Sequence, residues 1–191
     1  MIIPTGLDFA ALSKGHKHPP MKICWIGTAV NEKYLIHVVA PLNRLWRKHN
    51  FEFRIIGARM PSELGFKRRP NFIQWHLGKA EHQVSECHIG IAPLDCGGYE
   101  FAKPPSKPVL YMAQGLAVVA TDTPSYRSLI KHGKNGYLIK GNDTHHWTKI
   151  LEVLLTNKGI RNSIVAHGLK SCQPYNAPNI AKRWDAFLKT L

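Results

Sequence analysis

Lys33, Lys103 and Lys107 each stand within a few residues of a point where a helix-like run begins, at about Lys33 and at Ser106. The start of a helix offers unpaired amides and the positive end of the peptide dipoles. A neighbouring ammonium adds a full charge. Together these suit a phosphate or a diphosphate. The loop before Lys33 brings Gly27 and Thr28 into the same candidate set, and Ser106 opens the second run. A lone lysine is normally a solvated surface residue. The case rests on all three converging, which depends on how the strands are ordered.

Other chemistries find less support. There is no GxGxxG and no GxxxxGK[ST], which argues against a dinucleotide dehydrogenase and a P-loop NTPase. No GxSxG elbow is present, and no catalytic nucleophile is identified. His16 with His18, and His145 with His146, lack cysteine or carboxylate partners at ligand spacing. Cys87-His88 lies near Asp95-Cys96, but Cys87 to Leu94 reads as the entry to a buried strand. No metal site is therefore expected. With no CxxC among Cys24, Cys87, Cys96 and Cys172, free thiols in a reducing compartment are the simplest reading.

The elements that must position the lysines follow from periodicity. Apolar runs predict strands at Lys22 to Ile26, Phe51 to Ile56, Phe72 to Trp75, Ile89 to Pro93, Ala117 to Ala120 and Gly136 to Ile139. Between them lie helical patterns. One opens at Asn31 to Lys33 and carries Leu35, Val38, Val39, Leu42 and Leu45 on one face. Others cover Lys79 to Glu86, Ser106 to Gln114 (with Gly115 as C-cap) and Ser125 to Ile130. Leu94 to Pro105 reads as a Gly/Pro-rich loop. Three helices finish the chain, with faces at Trp147/Ile150/Leu151/Leu154, about Lys158 to Ser171, and Ile180/Trp184/Phe187/Leu188/Leu191. Strands alternating with helices predict an α/β fold, a doubly wound Rossmann-like parallel sheet of about six strands with helices on both faces and a helical C-terminus. Residues 1–20 read as a linker-like segment and 21–191 as the domain. In the strand order 3-2-1-4-5-6 the order reverses between strands 1 and 4, and ligands bind beyond the C-terminal ends of the strands there.

The 191 residues, 44% hydrophobic, suit one domain with a real core. No apolar stretch is long enough to span a bilayer, and no secretory signal is evident. A cytoplasmic chain is expected. The formal charge of +14, from 26 Lys+Arg against 12 Asp+Glu, exceeds what solubility needs and points to an anionic partner. An anionic membrane face is one such partner. Nucleic acid has only charge in its favour, with no recognised reader motif and no basic stripe interleaved with aromatics.

The run "PPSKPVLYMAQGLAVVATDTPSYRSLIKHGKNGYLI" resembles the nucleotide-sugar-binding segment of glycosyltransferases with two Rossmann domains, the GT-B architecture, in particular the family-four-like group. That group carries K-x-x-x-K-x-x-x-Y-M-A-x-G-x-x-V-V-A-[ST], then a loop, a short helix and I-x-x-G-x-N-G-x-L. Here those positions are Lys103, Lys107, Tyr111-Met112-Ala113, Gly115, Val118 to Thr121, then Ile130, Gly133, Asn135-Gly136 and Leu138. "IGIAPL", "CWIGTAVNEKYL" and "HWTKILEVLLTNKGIRNSI" are similar as well, and "IIPTGLD" resembles the end of an inter-domain linker.

The resemblance implies sugar transfer from a nucleotide-diphosphate sugar to an acceptor. It implies Gly27, Thr28, Lys33, Lys103 and Lys107 around the donor diphosphate. Trp75, Glu100, Ser106 and Tyr111 would stand on the sugar or base side. Lysines and helix dipoles would stabilise the leaving diphosphate with no metal or other cofactor. The chain departs from the family at three places. Thr28 stands where many retaining members have arginine. Leu110 stands where many have the ribose-binding glutamate, and Ala102 where its partner glutamate would be, leaving Glu100 as substitute. The resemblance covers the donor-binding half alone, so an N-terminal acceptor domain or partner chain is implied, and the half by itself is expected to turn over little. An apolar face left open on the last helix would favour pairing of two copies. Two readings stand: the donor-binding half of a glycosyltransferase, and a non-catalytic basic binding protein with the same fold.

Overall fold

Six short apolar runs pair in register to form one sheet. The computed structural model describes residues 6–12, 15–61, 64–76 and 78–190. Leu191, most of the expected linker end and Ser13-Lys14 lie outside these residues. The strands are β1 (Met21–Ile26), β2 (Phe51–Gly57), β3 (Asn71–Gln74), β4 (Ile89–Ala92), β5 (Ala117–Thr121) and β6 (Tyr137–Ile139). All five pairings are parallel, in the order β3-β2-β1-β4-β5-β6. Ile23 pairs with Ile89 and Cys24 with Gly90, so the order reverses between β1 and β4 as expected.

Successive residues of a strand point to opposite faces. Both faces are buried here, which is why the strands read as unbroken apolar runs. One face packs Ile23, Phe53, Ile91 and Val119 against α1 (Ile36–Leu45) and α5 (Thr144–Thr156), through Val38, Leu42, Trp147 and Leu151. The other packs Cys24, Ile56, Val118 and Ala120 against α2 (Ala80–Ser85), α3 (Ser106–Ala113) and α4 (Pro124–Arg127), through Val84, Val109, Tyr111 and Tyr126. Two further helices, α6 (Lys158–Ser171) and α7 (Ala177–Leu188), close the chain. The segment before β1 docks on the connection between them, with Leu7 bridging to Asn176.

Side-chain caps set several boundaries. Thr123 accepts from the Tyr126 amide and starts α4 with Pro124 in its first turn. Asp143 and Asn157 cap α5 and α6 in the same way. Gly115, with φ of 68°, ends α3 in the left-handed conformation that favours glycine. Gly90 allows a close approach: a Cβ there would lie 2.3 Å from Cγ of Tyr111. That contact lets α3 lie flat on β4. A buried ion pair ties β2 to α2, where Arg54 donates to Glu86 at 2.7 Å and to Glu52 at 2.8 Å.

Candidate functional site

Two loops leave the sheet where its order reverses, and they meet. The first follows β1. Gly27 is required there because the Trp25 indole fills the space a Cβ would take, with Cζ2 only 2.4 Å away. The expected helix at Asn31 to Lys33 begins earlier and differently. Residues Ala29–Leu35 form a 3-10 helix and the α-helix starts at Ile36. Thr28 precedes the first turn, and its hydroxyl accepts from Asn31 Nδ2 at 3.0 Å. Lys33 thus lies inside the 3-10 helix rather than at its open end, which corrects the expectation of free amides beside it. The second loop follows β4 and holds another 3-10 helix, Gly98–Ala102, where a plain loop was expected.

Tyr34 joins the two loops. Its hydroxyl donates to Glu100 and accepts from Lys103 Nζ at 2.8 Å. Lys103 also donates to Asn31 Oδ1 at 2.9 Å. The Lys33 and Lys103 ammonium groups lie 5.0 and 4.4 Å from the centroid of the same tyrosine ring. Lys107 stands in the first turn of α3, its ammonium 5.9 Å from the Trp25 ring centroid. His37 on α1 faces Asp95 after β4 at 2.7 Å. The structure therefore gathers Gly27, Thr28, Lys33, Glu100, Lys103 and Lys107 around one crevice.

The electrostatics follow from this crowding. Burial first, and then Lys103, push the Lys107 ammonium down to about 8. The hydrogen bond from Tyr34 is the main cause holding the Glu100 carboxyl below its ordinary range, with Lys103 and Lys33 adding to it. Burial and the Glu100 carboxylate push the Tyr34 hydroxyl well up, so it stays protonated and able to donate. A positive rim with a tethered carboxylate can hold an anion and still meet hydroxyl groups beside it.

The remaining candidates fall in different places. Ser106 is exposed at the start of α3, but its amide donates to the Pro104 carbonyl at 2.8 Å, so it is not among the free amides. Tyr111 is fully buried. Its hydroxyl accepts from the Ile26 amide and donates to the Ile91 carbonyl, so it braces the crevice floor from beneath. That corrects its expected place beside the ligand. Trp75 is exposed just beyond β3, at the same end of the sheet but two strands from β1.

Some residues at the crevice were missed by sequence reasoning. Tyr34 reads as one more apolar helix residue. His37 and Asp95 are unremarkable in the chain and meet only through the parallel β1–β4 pairing. Tyr99 and Phe101 stand exposed on the second loop, with the Lys103 ammonium 5.3 Å from the Tyr99 ring centroid. Across from them Val30 and Ile36 are exposed as well. These four large apolar side chains form an exposed apolar rim on the two loops.

Comparison with known proteins places this geometry. Residues 20–157 match the pattern of the family described as glycosyl transferases group 1. No curated protein sequence matches the chain. Among solved structures, the C-terminal domain of a glycosyl transferase group 1 family protein, LpcC of Francisella tularensis, is similar over 90% of this chain and 100% of its own, with a TM-score of 0.68 and 16% identity. Sucrose-phosphate synthase of Thermosynechococcus elongatus matches 98% of this chain with 51% of its own, at TM-score 0.76 and 13% identity. Anabaena HepE, in complex with UDP and glucose, matches 97% of this chain with 55% of its own, at TM-score 0.72 and 15% identity. The chain thus spans about half the length of these two proteins. At such identities the likeness is one of fold.

Proposed function

Since the chain belongs to the glycosyl transferases group 1 family, we propose that it is the donor-binding half of a glycosyltransferase and that its crevice holds the diphosphate of a nucleotide-diphosphate sugar. The observation that carries this reading is the meeting of Lys33, Lys103 and Lys107 beyond β1 and β4, where the strand order reverses. The sugar would pass to an acceptor hydroxyl while the lysines and the start of α3 stabilise charge building on the leaving diphosphate. Glu100 and Ser106 would face the sugar, and Trp75 the base. The apolar rim of Val30, Ile36, Tyr99 and Phe101 is the surface an N-terminal acceptor domain or partner chain would cover. Without that cover the half is expected to bind donor weakly and turn over little.

Thermal stabilisation by UDP, GDP, ADP and their sugar conjugates tests the reading. A ligand at about a hundred times its dissociation constant adds about 2.7 kcal/mol. One nucleotide is expected to stabilise selectively. The shift should be unchanged by EDTA, because lysines rather than a metal carry the charge. The double substitution Lys33→Gln/Lys107→Gln should abolish it with the fold intact. A shift that survives this double substitution overturns the diphosphate site.

A second partner, an anionic membrane face, is favoured by a separate observation. Arg44 on α1, Arg47 in the turn after it, Lys149 on α5, and Lys67, Arg68 and Arg69 are all exposed. The last three lie on a loop pinned to α1, where Asn43 bonds Gly65 and Lys67. Glu152, beside Lys48 and His49, is the carboxylate in the groove between α1 and α5.

A further inference from the structure

At the end of the sheet opposite the crevice lies a cavity of about 440 Å³, lined by Lys17, His88, Lys158 and Arg161 together with Gly115, Asn162 and apolar residues. No carboxylate is among its walls. Each basic group arrives from a different part of the fold. Lys17 comes from the segment before β1, and its ammonium donates to the Gly115 carbonyl at the end of α3. His88 sits between α2 and β4. Its Nδ1 accepts from the Lys22 amide at 3.1 Å, which leaves Nε2 to carry the proton of the neutral ring. Arg161, in the first turns of α6, donates to the Leu154 carbonyl of α5 at 2.7 Å. Lys158 opens α6 and is exposed. Among the described residues, none of the four takes part in an ion pair.

Lys17 and Arg161, each held by a backbone carbonyl, and the neighbouring Lys158 bring like charges together with no counter-charge, which leaves an attraction unsatisfied. Its strain registers on His88: burial, and then Lys17 and Arg161, hold the imidazole down at about 4. We infer that this cavity is a second anion site, built for a small phosphate-bearing molecule gripped by Lys17, Lys158 and Arg161, with His88 donating through Nε2. A monocarboxylate would satisfy only part of this set. A phosphate group has more acceptor oxygens and a higher charge, and guanidinium geometry matches it. The volume leaves room for a diphosphate or a small phosphate ester. The site is distinct from the crevice, since α3 separates them, with Lys107 at one end and Gly115 at the other.

Inorganic pyrophosphate titrated into the full chain tests this, followed by the His88 imidazole signal in NMR, with sodium chloride at matched ionic strength as reference. The expected result is a saturable shift with pyrophosphate alone and a rise of the His88 titration midpoint. Lys158→Gln should weaken the affinity at least fivefold. Because its side chain is exposed, that variant keeps the fold; Arg161→Lys, which can still reach the α5 carbonyl, serves as the second. Lys33→Gln/Lys107→Gln in the crevice should leave the His88 response unchanged. An absent or non-saturable shift overturns the inference. So does an equal response to chloride, or an affinity insensitive to Lys158→Gln and Arg161→Lys but lost with the crevice variant.

Discussion

Burial lowers the Lys107 ammonium, and its pH behaviour follows. Its folded value of about 8 lies below that of an unfolded lysine. Between those values the unfolded chain binds more protons, so this group's contribution to stability rises with pH across the window. A bound diphosphate favours the ammonium form and reverses the shift. Nucleotide binding at pH 8.5 is therefore expected to take up protons, and affinity should fall as pH climbs from 7.5 to 9.5. Calorimetry in two buffers of different ionisation enthalpy measures the uptake, and Lys107→Gln should remove it. Gly27 offers a steric counterpart. Alanine there would press on the buried Trp25 indole beneath Lys107. Overpacking of this kind costs about 1–3 kcal/mol. Urea unfolding should show that loss together with weaker nucleotide binding.

Elements are held at the crevice end of the sheet by one polar residue, Asn142. It lies between β6 and α5 with φ of 54°, and it joins three elements. Its amide donates to the Leu94 carbonyl at 2.6 Å, while its carbonyl accepts from the Thr121 hydroxyl at 2.6 Å and the Trp147 indole at 3.4 Å. Asn142→Ala loses these bonds and forces a Cβ without a polar group into the left-handed region. About 2–3 kcal/mol of destabilisation is expected in urea unfolding. Asn142→Gly should recover up to about 1 kcal/mol of that, because it relieves only the backbone part.

The same contrast explains what could be read in the chain. Strand and helix positions were legible because burial on both faces writes continuous apolar runs such as Ala117-Val118-Val119-Ala120, and because Gly115 and Pro124 mark ends. The lysines of the crevice were legible because their loops follow β1 and β4. Tyr34, His37 and Asp95 were not, since their partners lie far away in sequence and no local pattern marks them. The 3-10 turn at Gly98–Ala102 was hidden by Gly97 and Gly98, and the buried place of Tyr111 by its neighbours in the motif.

For the whole molecule, charge is distributed unevenly. The face formed by α1, α5 and residues 64–70 is basic, with Arg44, Lys67, Arg68, Arg69 and Lys149 exposed. Anionic phospholipid vesicles should sediment the chain at low salt and release it at several hundred millimolar, since surface attraction is screened within a Debye length. Neutral phosphatidylcholine vesicles should not. Arg68→Glu/Arg69→Glu should weaken the sedimentation severalfold while leaving nucleotide stabilisation intact. The strand order has a consequence for how such a chain is made. β1 pairs with β2 soon after synthesis, but its other edge waits for β4, whose Ile89 must find Ile23. Until then the apolar central strand presents an edge of unpaired N–H and C=O groups, a template for mispairing. Non-local parallel pairing of this kind is slow to form. The seam that later frames the crevice thus cannot close until β4 has been made, and a nascent chain stalled before it would be the form most in need of chaperone cover.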